Sequence, residues 1–226
     1  DVSSGVAALV HRDLRMVPEH PALPKALAAL PALLAGPVVP ESEAWHEGEW
    51  FNWSDDFVAA NEDAGSLDAT FLWARLVVVA QGVAIAALLY ALASRFFGPD
   101  GGLVAAAAWL TTPYFVGLGH FAMLDVPFTL AALALVLVTL RWLDRPTLAR
   151  TAAVGAVLGL ALATRHTGLV LVVLLVLVVV VKLRSRPFEA LQGLVVVGLV
   201  SVLCLWAVYR GLSPSGPPPE VTARFE

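Results

Sequence analysis

The sequence contains few charged residues and almost no cysteine. Only 14% of its 226 residues are charged, whereas soluble domains carry about 25%, and the mean hydropathy is +0.80. A soluble chain with so few polar groups could not cover its own surface. The composition therefore excludes an ordinary cytosolic enzyme, a disordered protein and a nucleic-acid binder. The one cysteine, Cys204, excludes a disulfide framework.

Several signatures of soluble enzymes are also absent. The sequence has no Walker loop, no dinucleotide-binding fingerprint, no Cys/His zinc spacing and no nucleophile elbow. It does not begin with Met, and it ends in a proline-rich stretch from residue 213 to residue 226. We therefore expect the sequence to be a fragment of a longer protein.

The charges that are present divide the chain into two parts. Residues 1–68 contain 12 of the 18 acidic residues and only three basic ones. Residues 69–226 contain six acidic and 11 basic residues among long apolar runs. This distribution predicts an all-α polytopic membrane protein with an acidic N-terminal portion.

The number of membrane crossings follows from the apolar runs and the basic clusters. One cluster comprises Arg141, Arg145 and Arg150, and the other comprises Lys182, Arg184 and Arg186. If both face the cytoplasm, the apolar stretch between them crosses the membrane twice and turns at Arg165-His166. The same rule makes 102–140 a hairpin that turns within 120–127. Six crossings are predicted, from the apolar segments 71–93, 101–124, 126–140, 151–164, 167–181 and 190–209.

This topology places several ionisable groups on one face of the membrane. Residues 1–70 form an outer loop with juxtamembrane helices, 71–210 the helix bundle, and 211–226 the start of another outer loop. His120, Asp125, Arg165 and His166 then lie at the outer face. Ionisable groups at membrane depth are costly unless they face protein or water, so they are candidates for function. The alternative is that a residue at a hairpin tip is simply solvated.

The outer region contains an amphipathic segment. Leu23, Leu27, Leu30 and Leu34 recur at helical spacing within 19–36. The segment is predicted to lie in the membrane interface, with Glu19, His20 and Lys25 together near its start.

An aromatic-rich segment follows. Trp45, Trp50, Phe51 and Trp53 alternate with acidic residues and one histidine. This pattern is typical of an interfacial aromatic belt. The other interpretation is a carbohydrate platform, on which aromatic faces stack against sugars while carboxylates bind hydroxyls.

Motifs along most of the chain resemble the GT-C superfamily of membrane glycosyltransferases. The resembling branch contains protein O-mannosyltransferases, aminoarabinose transferases and bacterial phospholipid carrier-dependent glycosyltransferases. Its P-E-H-P-P-L-x-K block appears as PEHPALPK at 18–25, with Ala22 in place of the second proline. The other matching motifs follow in family order: Ala74-Arg75-Leu76, Phe97-Gly98, Asp125-Val126-Pro127 and Gly159-Leu160-Ala161-Leu162-Ala163-Thr164-Arg165. Any one motif is weak, but their order and spacing together are specific.

The resemblance implies transfer of a sugar from a polyprenyl-phosphate donor to an acceptor hydroxyl, on a protein or a glycan, at the outer face of a bacterial cytoplasmic membrane. The family's catalytic Asp-Glu pair is expected upstream of Asp1, which makes the activity of this chain alone doubtful. Two carboxylates are assigned supporting catalytic roles, Asp125 and Glu19. Four cations are assigned to the donor phosphate: Arg165, Lys25, His166 and Arg75.

A divalent metal is also predicted, with Glu19 and His20 as ligands. Such ligands suit several metals, so the identity of the cation stays open. Two other function classes compete with the enzyme. A transporter or lipid flippase would place its polar residues near the midplane of repeated halves. A non-catalytic membrane scaffold would bind no donor.

Overall fold

The structure, a computed structural model, describes residues 1–17, 19–113, 117 and 124–214, and these residues form helices and connecting turns without strands. Nine α-helices are described: α1 Val2–His11, α2 Ala22–Ala32, α3 Glu43–Glu47, α4 Trp50–Asp63, α5 Leu67–Thr111, α6 Asp125–Asp144, α7 Leu148–Thr164, α8 Leu169–Lys182 and α9 Pro187–Leu212. They fall into two compact units. The N-terminal unit consists mainly of residues 1–80, with the end of α9 from Val208. The membrane unit contains residues 81–113, 117 and 125–207.

Helix α5 is a hairpin of two antiparallel arms. Gly98 has φ 75° and ψ 176°, which breaks the helix, and Pro99 starts the second arm. Beyond the break, Trp109 Nε1 donates a hydrogen bond of 2.9 Å to the carbonyl of Gly82. A straight helix would separate these two residues by about 40 Å. The chain therefore reverses at Gly98, as the Phe97-Gly98 motif predicts for an inner loop.

Each apolar segment predicted to cross the membrane contains helix. Three helices are long and apolar enough to span a membrane, namely α5, α6 and α9. The two arms of the hairpin predicted around Arg165-His166 are α7, with 17 residues, and α8, with 14. They are short, as the sequence predicts, and a count of six crossings remains a prediction. The other turn, predicted within 120–127, includes His120, which lies outside the described residues.

The membrane unit is held together by small residues and a few large apolar ones. Leu135, Trp142, Val154 and Leu158 join α6 to α7 in its core. Gly155 and Gly159 lie against the backbone of α9, where a Cβ would come within 2.8 Å of the carbonyl oxygen of Val197 at Gly155, and within 2.6 Å of that of Ser201 at Gly159. Gly155 and Gly159 form a Gly-x-x-x-Gly motif, whose small residues let two helices approach closely, and here it serves helix packing.

The N-terminal unit has a different, aromatic core. Trp53 and Phe57 are fully buried, and the ring of Trp53 contacts the rings of both Phe57 and Trp45. Trp53 Nε1 donates to the carbonyl of Pro40 at 2.9 Å. Neither interpretation of the aromatic segment fits these positions, because Trp45 and Trp53 pack inside protein. Among the four aromatics, Phe51 is the exposed one, with 66% of its surface accessible.

Helices α1 and α2 pack closely through small residues. Gly5 lies so close to the backbone of Lys25 that any side chain there would overlap it. The buried face of α2 is made mostly of alanines, among them Ala26, Ala29 and Ala32. Leu27 and Leu30 of α2 are exposed, and so is Leu34 in the 3-10 helix Leu33–Ala35 that follows. An exposed stripe of leucines is what an interfacial helix presents to lipid.

Candidate functional site

Asp125 and Arg165 form an ion pair although 40 residues separate them. An oxygen of the Asp125 carboxylate accepts a hydrogen bond from Nη1 of Arg165. Both side chains remain accessible, Asp125 at 58% and Arg165 at 36%. The prediction that the two hairpins bring these residues to one end of the bundle therefore agrees with the geometry of the membrane unit.

Local sequence fixes where each member of the pair lies. Asp125 is the first residue of α6, where a negative charge interacts favourably with the helix dipole, and Pro127 fits the first turn. Helix α7 ends before Arg165, which is extended at φ −157° and ψ 139°. The hydroxyl of Thr164 donates to the carbonyl of Ala161 at 2.6 Å, which satisfies one terminal carbonyl of α7. The guanidinium thus projects from a short turn and not from a helix.

The two other candidates from the apolar part of the chain are exposed. His166 follows Arg165 in the short 3-10 helix His166–Gly168. Arg75 lies on the first arm of α5 and is also exposed. His166 therefore lies beside the ion pair in sequence and space, whereas Arg75 belongs to the N-terminal unit. Their assignment to a donor phosphate stays a prediction.

Lys25 is the most unusual cation of the N-terminal unit. Only 5% of its surface is accessible, and its Nζ lies 3.3 Å from Oδ1 of Asp1. Burial lowers the pKa of Lys25 below its ordinary value, while the charge of Glu19 acts in the opposite direction. The structure thus brings Lys25, Asp1 and Glu19 together. Close packing of α1 on α2 at Gly5 causes this burial.

The predicted metal ligands are placed at the surface. Glu19 and His20 are both exposed, in the turn that precedes α2. Among the described residues, no group of three or more His, Cys, Asp or Glu side chains converges as a metal site would require. Two ligands alone leave most of a coordination sphere to water or substrate, so the metal site stays a prediction.

Two polar clusters were missed by the sequence reasoning. In the N-terminal unit, Arg15 Nε lies 2.6 Å from Oδ2 of Asp13, and its guanidinium lies over the ring of Trp45 at 4.9 Å. The Asp13-x-Arg15 spacing was the available signal. In the membrane unit, Arg95 pairs with Asp144 at 2.7 Å. Forty-nine residues separate that pair, and nothing in the sequence links them.

Comparison with known proteins was informative for the apolar part of the chain. No curated protein and no solved structure matches the chain. Residues 67–209 match the family described as dolichyl-phosphate-mannose-protein mannosyltransferase. The matched range includes Arg75, Asp125, Arg165 and His166, whereas Glu19, His20 and Lys25 precede it. Because the match covers more than half of an all-helical, strongly apolar chain, the protein belongs to this family of membrane glycosyltransferases.

Proposed function

We propose that this protein transfers a sugar from a polyprenyl-phosphate donor to an acceptor hydroxyl at the outer face of a bacterial cytoplasmic membrane. The observation that carries the proposal is the accessible Asp125–Arg165 pair at the ends of two apolar helices. A lipid-linked donor reacts where its phosphate meets the membrane surface, and an accessible arginine beside a carboxylate offers complementary groups there.

The reaction needs two opposite charges. The acceptor oxygen attacks the anomeric carbon and loses its proton to a carboxylate base. The bond from the anomeric carbon to the phosphate oxygen breaks, and its electron pair leaves with the lipid phosphate. A guanidinium stabilises that departing phosphate, while nearby carboxylates favour the oxocarbenium-like transition state.

The ion pair supports a specific division of labour. Arg165 binds the donor phosphate in our proposal, since a guanidinium can donate two parallel hydrogen bonds to phosphate oxygens. Phosphate binding competes with Asp125 for the guanidinium, which frees the carboxylate to orient the acceptor. The principal base is the Asp-Glu pair that the resemblance places upstream of Asp1, so Asp125 assists and does not replace it. His166, Arg75 and Lys25 are proposed to support phosphate binding, and Glu19 and His20 a divalent cation.

The side of the membrane follows from the basic clusters. Arg141, Arg145 and Arg150 lie at or after the end of α6, far along that helix from Asp125. If these arginines face the cytoplasm, then Asp125 at the start of α6 faces outward. The acceptor is a protein or glycan hydroxyl on that side.

The test uses the full-length protein in proteoliposomes that contain a polyprenyl-phosphate sugar. We expect Asp125→Asn to abolish transfer with the fold retained, and Arg165→Ala to weaken donor binding. The matched controls are Asp144→Asn and Arg95→Ala, which break a similar exposed pair in the same unit. Wild-type turnover by Asp125→Asn, or an equal loss in both sets of variants, would refute the assignment.

A charge reversal separates catalysis from folding. The double variant Asp125→Arg, Arg165→Asp keeps an ion pair at this position but exchanges the two groups. We expect it to fold like the wild type and to lose donor binding, because the phosphate then meets a carboxylate. Restored activity would mean that the pair is structural only.

A further inference from the structure

The membrane unit contains a groove at the end opposite to Asp125. Its volume is about 660 Å³, and it lies between the α6–α7 turn, the end of α8 and the start of α9. The walls include Trp142, Thr151, Leu183, Leu191, Gln192 and Val195. This volume lies within the range of about 300–1,000 Å³ that is typical of ligand pockets.

The groove is lined mainly by apolar residues and opens at the surface of the membrane unit. Leu148, Leu191 and Val195 on its walls are between 52% and 74% accessible. Gly193 allows the ring of Trp142 to form the base, because a Cβ there would come within 2.6 Å of the indole. Helical faces that expose such residues in a bilayer contact acyl chains.

Several basic residues are next in sequence to residues that line the groove. Arg145 and Arg150 are next in sequence to the lining residues Pro146 and Thr151, and Lys182 and Arg184 flank Leu183. The ranges 141–150 and 182–189 together contain six basic residues and two acidic ones, Asp144 and Glu189. Glu189 is itself a lining residue of the groove, but both acids are paired, Asp144 with Arg95 and Glu189 with Arg186. The two loops therefore carry a net positive charge beside an apolar groove.

We propose that the groove binds an anionic phospholipid of the cytoplasmic leaflet, with an acyl chain against Trp142 and Val195 and the headgroup phosphate at Arg145 and Arg184. Basic pockets between membrane helices on the cytoplasmic side are suited to such headgroups. The site is separate from the Asp125–Arg165 pair and does not depend on the proposed reaction. Its role is to fix the turn regions of α6–α7 and α8–α9 to the cytoplasmic membrane surface.

The test measures retention of lipid by the purified full-length protein in detergent, using native mass spectrometry. The probes are phosphatidylglycerol and phosphatidylcholine with the same acyl chains. We expect phosphatidylglycerol to bind about tenfold more tightly or better, since each surface cation contributes several-fold to anionic lipid binding. Equal binding of the two lipids would overturn the proposal. Absence of any bound lipid would mean that protein covers the groove, and would overturn it as well.

Two sets of variants locate the lipid. Arg145→Gln with Arg184→Gln should remove the preference for phosphatidylglycerol, by lowering retention of phosphatidylglycerol more than that of phosphatidylcholine. Val195→Trp should fill the groove and reduce retention of both lipids. Its control is Leu199→Trp, one turn further along α9, which is also exposed and is not among the residues that line the groove. A persisting preference in the double variant, or equal retention by Val195→Trp and the wild type, would overturn the placement.

Discussion

The largest buried side chains of the two units differ, since they are mainly aromatic in the N-terminal unit and mainly aliphatic in the membrane unit. The N-terminal unit buries Trp53 and Phe57 completely, although it also exposes apolar side chains such as Leu27 and Leu30. The membrane unit exposes many valines and leucines and buries glycines at its helix contacts. Water drives large apolar groups inward, whereas lipid does not, so helices in a bilayer associate through close backbone packing.

Polar groups follow the same contrast. In the N-terminal unit, the side-chain amide of Asn61 is buried. Its Nδ2 donates hydrogen bonds to the carbonyls of Val38 and Phe57, and its Oδ1 accepts one from the backbone N–H of Val38. In the membrane unit, the described ion pairs lie at the exposed ends of helices. A charge in the middle of a bilayer is costly, so the chemistry of this unit gathers at its two ends.

The largest expected effect tests the aromatic core. Trp53→Ala should lower the free energy of unfolding by about 3–5 kcal/mol, because it leaves a cavity and removes the hydrogen bond from the indole to the carbonyl of Pro40. The matched control is Phe51→Ala, two residues earlier in α4 and largely exposed, for which little change is expected. Thermal unfolding in detergent measures both. Similar losses would mean that burial does not decide which aromatic side chains stabilise the N-terminal unit.

The second prediction tests the glycine contact. Gly159→Leu should cost about 1–3 kcal/mol or displace α9, because no space remains between the helices for a side chain. Gly198→Leu is the control, since Gly198 is exposed and no atom lies within 4 Å of the position that its Cβ would take. The unfolding temperature of each variant, measured in the same detergent, decides the outcome. Equal stability of the two would contradict backbone packing as the basis of this unit.

The third prediction concerns Lys25, whose lowered pKa has a defined sign. The folded protein releases the Lys25 proton at lower pH than the unfolded chain, whose ordinary pKa is 10.5. The free energy of unfolding should therefore rise with pH between the folded pKa and 10.5, and become independent of this group above that range. Lys25→Met should remove this rise. Stability measured between pH 7 and pH 11 tests it, and an unchanged slope in the variant would contradict a buried, charged lysine.

The smallest effect is expected at the surface pair Arg95–Asp144. Asp144→Asn should change stability little, since water and salt screen exposed charges. The measurement is the unfolding temperature at low and high salt. A large, salt-independent loss would show that the ends of the membrane unit depend on ion pairs as the N-terminal core depends on packing.

Particular residues show how far sequence reasoning extends. The pattern of apolar runs predicted each helix of the membrane unit, and the basic clusters predicted the turn at Arg165-His166. The pairing of Asp125 with Arg165 could be expected as a shared location, but not as a contact. The aromatic segment was interpreted wrongly at Trp45 and Trp53, because alternation with acids does not reveal that the loop folds on itself. Nor did the sequence indicate that Lys25 is buried, since that depends on how closely α1 approaches α2.

The sequence alone determined that this is a helical membrane protein, because hydrophobicity and helix length are set by local composition and by the thickness of a bilayer. The order of the motifs also indicated its family, because such motifs are local features of the sequence. Tertiary structure decided which charges meet, which tryptophans are buried and where a groove opens between turns. These properties depend on contacts between residues distant in sequence, and such contacts arise from packing that no local pattern encodes.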